Sequence, residues 1–164
     1  MHLDSAFAAP IVSEPMRIEE GWIDYNGHMN LAYYQVLFDR HLDSVFNKAD
    51  IGADYLKRTN HSFFAAEVHI CYRQEVKLTD PVTVSFRLLD FDAKRLHIFF
   101  EMHHATEGWL AATSENMSLH IDMGAKKVAP LLPDAFASIE RLATTHKDLP
   151  WPAAAGRRIT MPRK

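Results

Sequence analysis

Apolar side chains recur at three- and four-residue intervals after residue 30, as they do on one buried face of an α-helix. The stripe consists of Leu31, Tyr34, Leu37, Phe38, Leu42, Val45 and Phe46. Asn30 directly precedes it, and its side-chain oxygen can accept a hydrogen bond from a free N–H group of the first helical turn. The pattern therefore predicts a long helix with one buried face and with Asn30 as its cap.

A strand and a tight turn are predicted before this helix. Apolar and polar residues loosely alternate over residues 16–23, which favours a strand. The next residues are Asp24, Tyr25, Asn26 and Gly27, and they favour a turn because Asn and Gly tolerate positive φ angles. The Asp24 carboxylate is therefore expected close to the positive N-terminal end of the helix.

After residue 60 the chain has the composition and alternation of β-strands. The four predicted strands cover residues 63–76, 82–90, 95–105 and 109–123. Hairpin-like separators between the later strands indicate an antiparallel sheet with one face covered, and the helix at 30–48 is the large apolar helix able to cover it. Shorter helices are predicted at 52–58 and 134–146. The expected fold class is α+β, with an antiparallel sheet wrapped around one long central helix, which is the hotdog architecture.

The length and composition fit one folded domain. The chain has 164 residues, of which 48% are hydrophobic, enough for a single core. We expect an N-terminal arm over residues 1–14, the domain over 15–147, and a proline-containing, basic tail over 148–164 that is irregular.

Charge and cysteine content exclude several classes of function. The formal net charge of −3 gives no reason to expect binding of nucleic acid, which requires a basic surface. Cys71 is the single cysteine, so no internal disulfide can form, which favours a reducing compartment. No basic and apolar leader and no bilayer-length apolar segment are present, so a cytoplasmic protein without membrane partners is expected.

The position of Asp24 has two interpretations on spacing alone. Free N–H groups at a helix start can hold a developing oxyanion while a nearby carboxylate attacks a carbonyl or activates water. Alternatively, Asp24 compensates the helix dipole and caps the turn, as acids near helix starts usually do.

The string from Asp24 through Asn30, DYNGHMN, carries a family resemblance. Followed by Tyr33-Tyr34 and by Asp39, it resembles the signature of hotdog-fold acyl-CoA thioesterases of the 4-hydroxybenzoyl-CoA thioesterase type. The order of elements extends the resemblance over residues 15–145. Shorter strings at 25–29, 67–70 and 94–97 are similar to the thioesterases associated with carnitine degradation, which hydrolyse betainyl-CoA.

The resemblance implies hydrolysis of an acyl-CoA thioester with Asp24 as nucleophile or as general base for water. Backbone N–H groups near Leu31 would hold the oxyanion, and the residues that shape the turn would be Asn26, Gly27, His28 and Asn30. For His28 we weigh a structural role against protonation of the leaving thiolate. The resemblance also implies a homodimer or a dimer of dimers, with the substrate at the interface.

Aromatic residues and one acid are expected to form the acyl pocket. Ring faces and a carboxylate attract a quaternary ammonium, which fits betainyl-CoA. The predicted binding residues are Trp22, Tyr25, Tyr33, Tyr34, Phe63, Phe64 and Glu67, with Trp109 less central. The alternative is that these rings are ordinary core and that Glu67 faces solvent.

Other chemistry has less support. His69, His97, His103, His104 and His120 lie on different predicted strands without paired ligand spacing, so neither a metal site nor a cofactor is expected. Basic residues eligible to contact CoA phosphates are Arg73, Lys77, Lys94, Arg95, Lys126, Lys127, Arg157 and Arg158. Other short or aromatic acyl-CoA substrates, and an acyl-thioester-binding protein without hydrolysis, remain as alternatives.

Overall fold

The computed structural model describes residues 7–161, which form a six-stranded antiparallel sheet and three α-helices. The strands are β1 (Ile11–Val12), β2 (His61–Tyr72), β3 (Val82–Phe91), β4 (Arg95–His104), β5 (Leu110–Asp122) and β6 (Lys127–Val128). The helices are α1 (Leu31–Lys48), α2 (Ala53–Thr59) and α3 (Pro133–His146). The sheet order is β1-β3-β4-β5-β2, and β6 pairs with β5. The predicted α+β hotdog fold is confirmed.

Helix α1 begins where the sequence predicts, because Asn30 caps it. The Asn30 Oδ1 atom accepts a hydrogen bond from the Ala32 N–H at 3.1 Å. The predicted stripe is buried apart from Leu31, which is 64% exposed, and Leu42, which is half-buried. His41 joins the buried face, where its Nε2 lies 3.1 Å from the carbonyl oxygen of Ile11.

The inner face of the sheet packs against α1 and α3. Alternating residues of β3 are buried, as predicted, and Phe38 of α1 contacts Phe100 of β4 with ring centroids 5.6 Å apart. Helix α3 buries Ile139 and Leu142 in the same core. Its Ser138 hydroxyl donates to the Ala49 carbonyl at 2.6 Å, which ties α3 to the end of α1.

The predicted first strand at 16–23 is wrong. Met16 forms an isolated bridge to β3, a 3-10 turn covers Glu20–Trp22, and Ile23 bridges Met29. The segment has to turn sharply to bring the chain to the start of α1, and the 3-10 turn does this while Trp22 becomes buried. The strand that pairs with β3 in this region is β1, which lies within the predicted N-terminal arm.

Strand β2 ends at Tyr72 rather than at residue 76, because the chain turns away from β5. The N–H groups of Arg73 and Gln74 both donate to the Ala111 carbonyl, which closes the ladder. A bulge between Ala65 and Glu67 shifts the register with β5. The outer edge of β2 has no partner strand within residues 7–161.

The C-terminal segment lies on the outer face of the sheet, the face turned away from α1. Residues 147–161 contain no helix or strand. The Gly156 N–H donates to Glu115 Oε2 of β5 at 2.7 Å, and the Trp151 ring lies 5.9 Å from that of His97. The Arg87 guanidinium donates to the Pro150 carbonyl. The C-terminal segment is thus irregular, as its composition predicts, and these contacts hold it against the sheet.

No helix within residues 7–161 has both the length and the hydrophobicity needed to cross a bilayer.

Candidate active site

The turn before α1 is closed by backbone and side-chain hydrogen bonds. The Gly27 N–H donates to the Asp24 carbonyl and the Asp24 N–H to the His28 carbonyl, each at 3.0 Å. Gly27 has a φ angle of 81°, which a glycine adopts without strain. The Asn26 N–H donates to Asp24 Oδ1 at 2.8 Å. The turn has the form that the Asn26-Gly27 pair predicts.

The Asp24 carboxylate is half-buried and keeps one oxygen atom available. Its Oδ1 accepts from Asn26, whereas its Oδ2 has no hydrogen-bond donor among residues 7–161. In the first turn of α1, Asn30 caps Ala32, and the Leu31 N–H has no acceptor in the same part of the chain. Asp24 and Leu31 border the same cleft. The available carboxylate oxygen and the free backbone N–H therefore belong to one candidate site.

This cleft has a volume of about 330 Å³ and two walls. The turn and α1 contribute Asp24, His28, Met29, Leu31 and Tyr34. The end of β2 and the loop that follows it contribute Tyr72, Arg73, Gln74 and Glu75. The cleft thus lies between the start of the central helix and the end of the edge strand.

Two tyrosines fasten these walls together. The buried Tyr34 hydroxyl accepts from the Val76 N–H at 3.1 Å and donates to the Gln74 carbonyl at 3.5 Å. The Tyr72 hydroxyl donates to the Leu31 carbonyl at 3.2 Å, and its ring meets Tyr34 edge-on at 5.1 Å. Burial raises the pKa of both tyrosines, so both hydroxyls stay protonated at neutral pH.

Glu75 is a cleft residue that sequence reasoning missed. Its Oε2 lies 3.2 Å from His28 Nε2, so the predicted site residue His28 is joined to an acid on the opposite wall. Glu75 lies in a loop and belongs to no motif. Only the fold brings it next to the turn that contains Asp24.

Trp22, Tyr25 and Tyr33 do not line the Asp24 cleft. The buried Trp22 ring stacks on Tyr33 at 5.2 Å, and the Arg40 guanidinium carbon lies 5.0 Å from the Trp22 ring centroid. The Trp22 ring is thus already engaged by a stacking partner and a cation. Tyr25 is 97% exposed.

The predicted binding residues on β2 also lie elsewhere in the chain. Phe63 packs on Phe46 in the core with centroids 5.3 Å apart, and Phe64 is half-exposed. Glu67 pairs with Met117 on the outer face of the sheet and lines a second cleft of about 510 Å³ together with Arg157. Within one chain, the predicted substrate-binding residues that line the Asp24 cleft are therefore Leu31 and Tyr34.

A third cleft adjoins the first. It has a volume of about 460 Å³, and Arg73, Gln74 and Glu75 form a wall that it shares with the Asp24 cleft. Its remaining lining residues are Lys77, Asp80, Glu107 and Trp109. The segment that follows β2 therefore borders both clefts.

The five histidines considered as metal ligands have separate neighbours. His69 lies near Cys71, His97 near Glu115, His103 near Glu101, His104 near Asp80, and His120 near Tyr55. In the described part of the chain, no three His, Cys, Asp or Glu side chains converge as a metal site would require.

Comparison with known proteins identifies the class. The sequence matches the family model of the Thioesterase-like superfamily over residues 18–139, and the chain belongs to this family. It is 38% identical over 143 residues to the betainyl-CoA thioesterase of Pseudomonas aeruginosa, covering 86% of this chain and 89% of that protein. It is 32% identical over 152 residues to a Rhizobium meliloti L-carnitine dehydrogenase/betainyl-CoA thioesterase, covering 93% of this chain but only 30% of that protein.

Solved structures support the same fold. A proposed thioesterase from Pseudomonas putida KT2440 superposes with a TM-score of 0.80 at 33% identity, covering 95% of this chain and 99% of that one. A protein from Staphylococcus aureus solved in complex with CoA superposes with a TM-score of 0.88 at 23% identity, covering 97% and 99%. The second likeness concerns the fold alone.

Proposed function

We propose that this acyl-CoA thioester hydrolase acts on betainyl-CoA, releasing betaine and free CoA as a step of carnitine degradation. The observation that carries the proposal is an Asp24 carboxylate with one free oxygen, beside the N-terminus of α1, in a cleft of about 330 Å³. The choice of substrate is supported by the 38% identity to the betainyl-CoA thioesterase of Pseudomonas aeruginosa.

In the proposed reaction, the thioester carbonyl lies between Asp24 and the start of α1. Asp24 either attacks the carbonyl carbon, forming a mixed anhydride that water then hydrolyses, or removes a proton from the attacking water. In both routes the carbon–sulfur bond breaks and CoA leaves as the thiolate. Water supplies one carboxylate oxygen and two protons, of which one ends on the CoA sulfur and the other in solvent. The Leu31 N–H stabilises the negative charge that develops on the carbonyl oxygen.

The other predicted site residues hold Asp24 in place. Asn26 donates its N–H to the carboxylate, Gly27 allows the turn, and Asn30 caps α1. His28 has a structural role in this scheme, because a thiolate leaves without much protonation and its Nε2 already contacts Glu75 at 3.2 Å. No metal or other cofactor enters the reaction.

We also propose that the active unit is a homodimer in which the β2 strands of the two copies pair edge to edge. The edge of β2 is 12 residues long and has no partner strand within residues 7–161. Phe64, Val68 and Tyr72 leave apolar surface exposed along it. Such edges are usually paired or covered. Antiparallel pairing of two copies would bring the partner's β2 close to Tyr72, and thus to the Asp24 cleft.

A cytoplasmic location fits the single cysteine. Cys71 is a free thiol, half-buried on β2, with its sulfur 3.9 Å from His69 Nε2.

Thiol release from a panel of CoA esters tests the proposed function. The panel contains betainyl-CoA, a short aliphatic acyl-CoA and an aromatic acyl-CoA, and the protein is assayed before and after treatment with EDTA. We expect the highest kcat/KM for betainyl-CoA and no loss of activity after chelation. Binding of the intact thioester without thiol release would contradict hydrolysis, and a higher kcat/KM for another ester would contradict the substrate.

A further inference from the structure

Tyr72 presents an aromatic ring at the Asp24 cleft. It is 46% exposed, yet its position is fixed by its hydrogen bond to the Leu31 carbonyl and by its edge-on contact with Tyr34. An aromatic ring face attracts cations, most strongly where water is partly excluded. Unlike the Trp22 ring, which is covered by Tyr33 and Arg40, the Tyr72 ring lines a cavity.

Glu75 adds a negative charge to the same wall. Its Oε2 contacts His28, whereas its Oε1 has no hydrogen-bond donor among the described residues. The charged side chains that line the cleft are the carboxylates of Asp24 and Glu75 and the guanidinium of Arg73, and the His28 imidazole lies beside Glu75. A small cation is therefore favoured in this cleft over a neutral group of the same shape.

We propose that Tyr72 and Glu75 bind the quaternary ammonium end of the acyl group and make the enzyme selective for cationic acyl-CoA esters. The assignment rests on the proposed function and adds the residues that determine specificity. It moves the acidic partner of the acyl cation from Glu67, which the sequence favoured, to Glu75.

The neighbouring cleft has mixed charge. Arg73 and Lys77 line it together with three acids, Glu75, Asp80 and Glu107. Asp80 accepts from the Lys77 N–H at 2.9 Å, and Glu107 accepts from the Trp109 indole at 2.8 Å. The two basic side chains form no ion pair within residues 7–161, so each is free to contact a CoA phosphate.

Glu67 is poorly placed for this role within one chain. Because of the bulge in β2, it shares the outer face of the sheet with His69 and Met117, and its cleft does not include Asp24. In that cleft the acids Glu67 and Glu115 are matched by two guanidinium groups, Arg157 and Arg158. The Asp24 cleft also has two acids but only one guanidinium group, so it attracts a cation more strongly.

Two CoA thioethers, which cannot be hydrolysed, separate this inference from the proposed reaction. One bears a trimethylammonioethyl group, and the other bears the neohexyl group, its neutral isostere. Their dissociation constants are measured by isothermal titration calorimetry. We expect the wild-type protein to bind the cationic thioether about tenfold more tightly, and Glu75→Gln to lose most of that preference.

Matched variants locate the effect. Glu140→Gln makes the same change on an exposed position of α3 and should keep the preference. Tyr72→Phe keeps the ring and should keep most of the preference, whereas Tyr72→Leu should lose it. Circular dichroism verifies that each variant is folded.

Three results would overturn the inference: equal binding of the two thioethers by the wild type, full preference in either Glu75→Gln or Tyr72→Leu, or loss of preference in Glu67→Gln. None of them depends on catalysis. Absence of thiol release from betainyl-CoA would count against the proposed function alone.

Discussion

The Tyr34 side chain holds the loop after β2 against the start of α1. Removing its hydroxyl in Tyr34→Phe leaves the buried Val76 N–H without its 3.1 Å acceptor. We expect the free energy of unfolding to fall by about 1–3 kcal/mol, the usual cost of an unsatisfied buried group. Chemical denaturation measures the loss.

Tyr33→Phe is the matched control. Tyr33 stacks on Trp22, and its hydroxyl makes no hydrogen bond within residues 7–161. Its loss should therefore change stability by less than about 0.5 kcal/mol. Equal destabilisation by the two substitutions would contradict the role assigned to Tyr34.

Individual site residues were predictable only where a local pattern marks them. Asp24 and Asn30 could be placed because a turn sequence and a helix start adjoin in the chain. Tyr72 and Glu75 could not, since they reach the cleft through pairing between β2 and β5. Glu67 was an attractive partner in the sequence, but a bulge that no local signal marks directs it to the outer face.

The cap of α1 connects the stability of this helix to the shape of the site. Asn30→Ala removes the acceptor for the Ala32 N–H, which costs about 1 kcal/mol at a helix N-terminus. We also expect kcat/KM to fall, because fraying of the first turn displaces the Leu31 N–H. Thermal unfolding and thiol-release kinetics are measured together. Asn30→Asp, which keeps an oxygen acceptor, should restore stability, and failure to do so would contradict the capping role.

Elements with strong periodicity were predicted well, and irregular ones were not. The stripe that begins at Leu31 indicates α1, and the strict alternation over residues 82–88 indicates β3. The loose alternation of residues 16–23 favours a strand, but its apolar spacing is uneven. In the structure it supplies a 3-10 turn, because the path of the chain into the Asp24 turn outweighs a weak local preference.

Three buried histidines make the stability of the whole domain depend on pH. Burial is the main cause that lowers the pKa of His41, His120 and His146. The His146 Nδ1 accepts from the Leu88 N–H at 3.1 Å, so protonation there would remove a buried acceptor. All three therefore bind a proton less readily in the folded state than in the unfolded chain.

The folded protein should accordingly lose stability as the pH falls. Imidazoles in the unfolded chain titrate near pH 6.5. The stability that the three neutral histidines contribute is therefore fully present above about that pH and is lost progressively below it. Denaturation at constant ionic strength, followed from about pH 7.5 to about pH 5, measures it. Stability that stays constant or rises over this range would contradict the neutral, buried state of these side chains.

Assembly of the whole molecule is expected to proceed through the free edge of β2. Val68→Lys adds a charge to that edge and should convert the dimer into a monomer, as measured by light scattering after size-exclusion chromatography. Val12→Lys makes the same change on β1, at the opposite edge of the sheet, where Val12 is also exposed, and should leave the dimer intact. A wild-type monomer, or a Val68→Lys dimer, would contradict assembly through β2.

The central claim is that the Asp24 carboxylate carries out thioester hydrolysis. In Asp24→Asn the amide oxygen can still accept from the Asn26 N–H, so the turn and the fold should persist while the charged oxygen is lost. The control is Asp43→Asn on the exposed face of α1. We expect thiol release from betainyl-CoA to fall about a thousandfold in Asp24→Asn, with unchanged thermal unfolding, and to stay near the wild-type rate in the control. Near-normal hydrolysis by folded Asp24→Asn would contradict the claim.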